Sequence, residues 1–160
     1  MNKIYIGIDP GKNGGFAIIL PDKEPIVKPW SNEMFVHDMR DVATLVERTA
    51  IGTDKPLKAI AAVEKVGALP KQGVVSMFNF GQSYGFILGV LSALKIGYQL
   101  VPPSVWQREF SLSKAGKQGS IDVCTRLYPN VSLLPTERCT KKSDGMSDAT
   151  LIATYALRKF

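Results

Sequence analysis

Four carboxylates in this chain stand where acidic side chains call for a reason. Asp9 closes the β-branched run of "IYIGIDPGKNGG", and Glu64 ends the apolar stretch "KAIAAVE". Asp144 and Asp148 lie four residues apart in "SDGMSDATLIATYAL". A carboxylate at the rim of a core needs a partner: a metal, a phosphate-bearing ligand, or the backbone of its own turn. If these groups crowd together, two unit charges 4 Å apart repel by roughly 4 kcal/mol at an effective dielectric of 20. Magnesium relieves that repulsion, because it prefers carboxylate oxygens and keeps waters whose places a phosphate can take. Two such ions, about 3.5–4 Å apart, can activate a water and stabilise the departing oxygen in phosphodiester hydrolysis, with Mn²⁺ as a substitute. The single histidine, His37, sits in polar helical sequence, which disfavours a histidine metal site or a Ser-His-Asp triad. Cys124 and Cys139 lack CxxC spacing and read as free thiols rather than as a disulfide or zinc site.

Each residue also has a plainer explanation. Asp9, before Pro10 and Gly11, can accept from its own turn backbone. Asp144 suits a helix N-terminus capped by Ser143, where the helix dipole favours negative charge. An acidic pair at i,i+4 costs only about 0.2–0.5 kcal/mol on an open helix face. Glu64 can simply be solvated. The joint pattern carries the signal, not any one member.

The elements that must position these residues follow from periodicity. Residues 3–8 and 14–20 read as two strands joined by the turn Lys12-Asn13-Gly14, hence an antiparallel hairpin. "PIVKPW" (25–30) is an edge strand, since Pro25 and Pro29 suit only an edge or strand ends. Ser31 or Asn32 caps a helix over 33–48 with Phe35, Val42, Leu45 and Val46 facing inward. "KAIAAVE" (58–64) is a central strand covered on both faces, and "YQLV" (98–101) another short strand. Between them runs a long helix, 72–95, with Gly81, Gly85 and Gly89 at intervals of four. That smooth stripe allows close approach of another backbone, either within the chain or from a partner. Helices at 103–109, 117–127 and 144–158 complete an α/β mixed sheet flanked by helices. Adjacent parallel strands would bring Asp9 and Glu64 to one carboxyl edge, where sites in such sheets gather. The last helix would add Asp148, with Asp144 one turn away.

The 160 residues fit a single domain, 1–160, with an ordinary apolar fraction of 45% and charged fraction of 21%. The net charge of +6 permits a polyanionic partner. Lys114, Lys117, Arg126, Arg138, Lys141 and Lys142 concentrate in the last third, although singly each can be a solvated loop charge. No apolar run approaches the ~20 residues that span a bilayer. No signal-peptide pattern opens the chain, so the expectation is a cytoplasmic protein with no membrane partner.

Taken together, "IGIDPGKNGGFAI", "AAVEKV", "FGQSYGFILGVL", "YQLVPPSVWQ" and "SDATLIATYAL" resemble, in order and spacing, the RuvC-type Holliday junction resolvases of the RNase H-like superfamily. The resemblance implies a mixed five-stranded sheet, a three-strand antiparallel part plus parallel strands. It further implies a homodimeric, Mg²⁺-dependent endonuclease that nicks four-way DNA junctions in pairs. Its metal-binding carboxylates fall on Asp9, Glu64 and Asp148, its dimer contact on the helix of Gly81, Gly85 and Gly89, and its phosphate-touching base on Lys117. Lys114, Lys141 and Lys142 would add sequence-independent DNA contacts. The chain departs from the pattern at three places. The family's fourth acid falls on Gly145, with Asp144 one position back as its replacement. The junction-opening aromatic falls on Gly67. The segment from Glu64 to Gly81 is about two residues longer than the pattern, by comparison of the motif positions. These departures suggest a divergent, phage-type branch that also acts on other branched DNA, such as replication forks.

Two other classes compete. Actin-like and sugar-kinase ATPases resemble "GIDPGKNGG" but use two duplicated domains, which 160 unrepeated residues do not supply, and no GxxxxGK[ST] is present. A catalytically silent DNA-binding module would have no need of the acidic set.

Overall fold

Ile4, Ile6 and Ile8 alternate with Tyr5 and Gly7 along β1 (Lys3–Asp9), a strand buried on both faces. The computed structural model describes residues 2–52, 56–67, 73–112 and 115–160. β1 pairs antiparallel with β2 (Gly15–Ile19) across a turn closed by Gly14 N–H donating to the Gly11 carbonyl at 2.8 Å. β3 (Ile26–Pro29) pairs antiparallel with β2. On its other side β1 pairs parallel with β4 (Lys58–Glu64), and β4 pairs parallel with β5 (Gly97–Val101). The order β3-β2-β1-β4-β5 is the five-stranded mixed sheet expected, with three antiparallel strands and a parallel flank.

Among the described residues, five helices cover the two faces: α1 (Asn32–Gly52), α2 (Val74–Ala93), α3 (Pro103–Glu109), α4 (Gly116–Leu127) and α5 (Asp144–Lys159). Ile4, Ile6, Ile8, Ala61 and Val63 point to one face, against Phe35 and Met39 of α1 and Ile87 and Leu91 of α2. Tyr5, Ala62 and Val101 point to the other, against α5 and against Trp106 of α3 and Cys124 of α4. Ser31 caps α1, its hydroxyl accepting from Met34 N–H at 3.4 Å. Inside α1, Met39 is fully buried and Leu45 is 37% exposed, the reverse of the expectation for Leu45. The spacing 35-39-42-46 keeps one stripe, whereas position 45 lies about 100° off it.

The closest layer contact is backbone on backbone. A Cβ added at Gly7 would stand 2.1 Å from the Ala149 carbonyl oxygen and 2.2 Å from the Ala153 nitrogen. Glycine at that point lets α5 lie directly on β1. Gly145 does the same one turn earlier, where a Cβ would meet the Asn13 carbonyl oxygen at 2.1 Å and Gly14 Cα at 2.5 Å. The N-terminus of α5 is thereby seated on the β1–β2 turn.

α2 differs from the other helices. Its buried residues are Ile87 and Leu91, while Val74, Val75 and Phe78 are 84%, 73% and 65% exposed. Its 20 residues carry no charge. By length and composition it is the one helix, among the described residues, that could cross a bilayer, with only 11% of it buried. The expectation that no apolar segment reaches that length is corrected. Ser76, Asn79, Gln82 and Ser83 interrupt any continuous run, so the length shows only once the helix is seen whole. A Cβ at Gly81, Gly85 or Gly89 would meet nothing within 4 Å. The glycine stripe therefore serves no packing among the described residues of the chain.

Candidate active site

Strand parity and register bring the first two carboxylates together. Tyr5, Gly7 and Asp9 share the α5 side of β1, and Ala62 and Glu64 share the same side of β4. Ile8 pairs with Val63, so Asp9 and Glu64 are the next neighbours along two parallel strands, at the carboxyl edge of the sheet. Asp9 performs its plainer role as well, its Oδ1 accepting the Gly11 N–H at 3.2 Å. Asp148 immediately precedes Ala149, whose carbonyl lies against Gly7, two residues from Asp9. All three side chains are half-buried.

The electrostatics agree with that placement. The Glu64 carboxyl is pushed up from 4.5 to about 7, first by burial and then by the negative charges of Asp9 and Asp148, against the lowering effect of the Trp106 hydrogen bond. Trp106 Nε1 donates to Glu64 Oε1 at 2.9 Å, and Trp106 itself is 1% exposed. A half-buried set of oxygen donors that repel one another matches a hard divalent cation, which supplies the missing positive charge and takes carboxylate oxygens by preference.

Asp144 occupies the first turn of α5, capped by Ser143, whose side chain accepts from Met146 N–H at 3.2 Å. Its charge is not among those that move Glu64, in contrast to Asp148. Gly145 has its α-carbon against the β1–β2 turn, so no side chain fits there without moving backbone. Ser147 is fully buried and ties α5 to α4 through Ser120, hydroxyl to hydroxyl at 3.0 Å.

Lys141 and Lys142 are exposed on the loop before α5, with Lys142 Nζ donating to Thr125 Oγ1 at 3.0 Å. Burial pushes the Cys124 thiol up to about 11, with Lys142 lowering it and Asp148 raising it. Lys142 and Asp148 thus flank the same buried thiol. Cys124 and Cys139 are both free, as expected. Lys117 belongs to the first turn of α4, but its side chain, like the whole of Lys114, falls outside the described residues.

A second acidic group lies on α1, on the opposite face of the sheet from α5. Ligand atoms of His37, Asp38 and Asp41 all lie within 4.8 Å of one another. Lys28 Nζ already stands 2.6 Å from Asp38 Oδ2 and 2.9 Å from Oδ1, so Asp38 has an ammonium partner there. Among the described residues Asp9, Glu64 and Asp148 are not drawn as tightly together as that trio.

Two residues of the site escape a reading of the sequence. Gly7 looks like a gap in a strand pattern and turns out to set the distance of α5 from β1. Trp106 lies 42 residues from Glu64, on a short helix, inside the stretch "YQLVPPSVWQ" whose pattern assigns it no site role. A lone tryptophan just after a strand and two prolines is the available signal, and it names no partner.

No family model matches the sequence, and no curated protein matches it. Solved structures do match in fold. RuvC of T. thermophilus, in a structure in complex with a Holliday junction substrate, aligns over 98% of this chain and 96% of its own, with 16% identity and a TM-score of 0.57. A second Thermus thermophilus RuvC structure aligns over 97% and 95%, with 14% identity and a TM-score of 0.54. The described residues have the RuvC fold.

Proposed function

We propose that the chain is a junction-resolving endonuclease: a homodimer that binds four-way DNA junctions and hydrolyses one phosphodiester per subunit with divalent cations. The observation that carries the proposal is the meeting of Asp9, Glu64 and Asp148 at one sheet edge, with Glu64 pushed up to about 7. The shared fold supports it, since one of the matching structures holds a Holliday junction substrate.

In this reading Asp9, Glu64 and Asp148 would together hold a pair of Mg²⁺ or Mn²⁺ ions. Bound cations would supply activation of a water and charge stabilisation of the departing oxygen. Asp9 is held by the Gly11 N–H, and Glu64 by the Trp106 indole, so both carboxylates are presented with one oxygen fixed. Asp148 arrives on a helix seated against β1 and the β1–β2 turn. Asp144, one turn out, serves the helix terminus and extends the negative rim. Lys141 and Lys142, with Lys114 and Lys117, hold DNA phosphates without reading sequence.

The dimer belongs to the same proposal and uses α2. Val74, Phe78, Gly81, Gly85 and Gly89 fall within an arc of about 80° at 100° per residue, opposite the buried Ile87 and Leu91. A second copy of the helix would cover that apolar face, which otherwise exposes Phe78 to water.

Activity on a wider set of branched DNAs is a second reading, favoured by Gly67. That position is exposed, and a Cβ there would touch nothing, so it offers no wedge to a junction centre. Labelled four-way junction, fork and linear duplex, each incubated with Mg²⁺ or EDTA, separate the readings. Paired nicks in the junction alone support strict resolution, and nicks in forks as well support the wider activity. Metal-independent cutting, or full activity in Asp9→Asn, contradicts both. ATP hydrolysis without DNA cleavage would point to the kinase-like class instead.

A further inference from the structure

We infer that Trp106 is a positioning residue for Glu64, holding one carboxylate oxygen so that the other is presented to a divalent cation. The inference rests on the nuclease reading and adds to it a residue outside the acidic set. Three observations carry it. The indole N–H is a donor with no acceptor capacity, and it meets Glu64 Oε1 at 2.9 Å. The ring is locked, being 1% exposed inside the core shared by α3, α4 and α5, so it cannot follow a wandering carboxylate.

The third observation is that α3 is itself clasped to the helix bearing Asp148. Glu109 accepts from Arg158 Nη1 at 3.1 Å and pairs with Lys159 Nζ at 2.8 Å, and the Arg158 guanidinium lies 5.0 Å from the centre of the Phe110 ring. A connection therefore runs from α5 through α3 to Glu64, setting Glu64 relative to Asp148. Glu64 ends a strand, and its side chain turns about three torsions. Fixing one oxygen removes most of that freedom before a cation arrives, which is how partners of metal ligands commonly act. Tryptophan suits this position because it fills the core while donating a single hydrogen bond.

The test is Trp106→Phe, which keeps most of the ring volume and deletes the N–H. Binding of Mn²⁺ to the DNA-free protein is followed by electron paramagnetic resonance of the free ion, beside wild type and Glu64→Gln. The expected result is about 10- to 100-fold weaker Mn²⁺ binding in Trp106→Phe, the range seen when outer partners of metal ligands are removed. Its affinity for junction DNA in EDTA should stay at the wild-type level. A cooperative melt with Mn²⁺ affinity within twofold of wild type overturns the inference. If Trp106→Phe does not fold, the wild-type protein decides through the ¹⁵N-labelled indole N–H signals of its two tryptophans. Mg²⁺ should shift the Trp106 signal and leave Trp30 in place. An unmoved Trp106 signal at saturating Mg²⁺ overturns the inference. Mn²⁺ affinity lost in Glu64→Gln but kept in Trp106→Phe removes this inference alone. Mn²⁺ affinity unchanged in Glu64→Gln removes the nuclease reading and the inference with it.

Discussion

Glu64 is a carboxylate that the fold makes uncomfortable, and the discomfort has a measurable sign. Its folded value of about 7 lies above the ordinary 4.5, so between those two pH values the folded chain holds a proton that the unfolded chain releases. The metal-free protein should therefore lose stability as pH rises from about 4.5 to 7 and lose no more from this group above 7. At 1.36 kcal/mol per unit, the whole effect is about 3 kcal/mol. Saturating Mg²⁺ should flatten that decline, as melting curves across pH with Mg²⁺ or EDTA will show. Glu64→Gln makes the conflict plain. Without metal at pH 8 it should melt several degrees above wild type, while junction cleavage falls by roughly 100-fold or more, because charge stabilisation worth several kcal/mol is gone. A variant that loses both stability and cleavage would mean that Glu64 is a structural carboxylate.

Among the elements, α5 and α2 matter most, and they differ in how far the sequence reveals them. The alternation of Ile4, Ile6 and Ile8 with the turn Lys12-Asn13-Gly14 predicts the hairpin, and the short apolar run ending at Glu64 predicts a central strand. Those signals are local, and they hold. The seat of α5 is not local, since it depends on Gly7 and Gly145 having no Cβ where segments 142 to 146 residues apart (Gly7 to Ala149 and Ala153) and 132 residues apart (Asn13 to Gly145) meet. Gly145→Asp, which would restore an acid at that position of the family pattern, should destabilise by about 1–3 kcal/mol and lower cleavage, because overpacking forces backbone to shift. A thermal melt and the junction assay check both effects, and a gain in activity would show that α5 can lift from the turn. The role of α2 is not decided by its glycines alone, since the stripe suits internal packing and a partner equally. The exposure of Phe78 beside it favours the partner. Phe78→Asp should weaken self-association by about 10-fold or more in sedimentation and convert paired nicks into single ones, since a charge in a buried apolar interface is strongly disfavoured. Wild-type assembly in that variant would move the dimer interface elsewhere.

On the scale of the whole molecule, a net charge of +6 coexists with mutually repelling carboxylates at one sheet edge. A polyanion is attracted to the molecule and repelled by those carboxylates until cations bind there, so DNA binding and metal binding should reinforce each other. Junction binding should weaken steeply with salt. Lys141→Ala with Lys142→Ala should reduce the slope of log K against log [salt] by about 2, nearly one for each phosphate that no longer has an ammonium beside it. An unchanged slope would remove those two lysines from the interface. All of this depends on Asp9, Glu64 and Asp148 holding cations, and anomalous diffraction from crystals soaked in Mn²⁺ tests that most directly. The expected result is density for Mn²⁺ among Asp9, Glu64 and Asp148. Well-ordered carboxylates with no ion among them, or an ion held only at His37, Asp38 and Asp41, would contradict it.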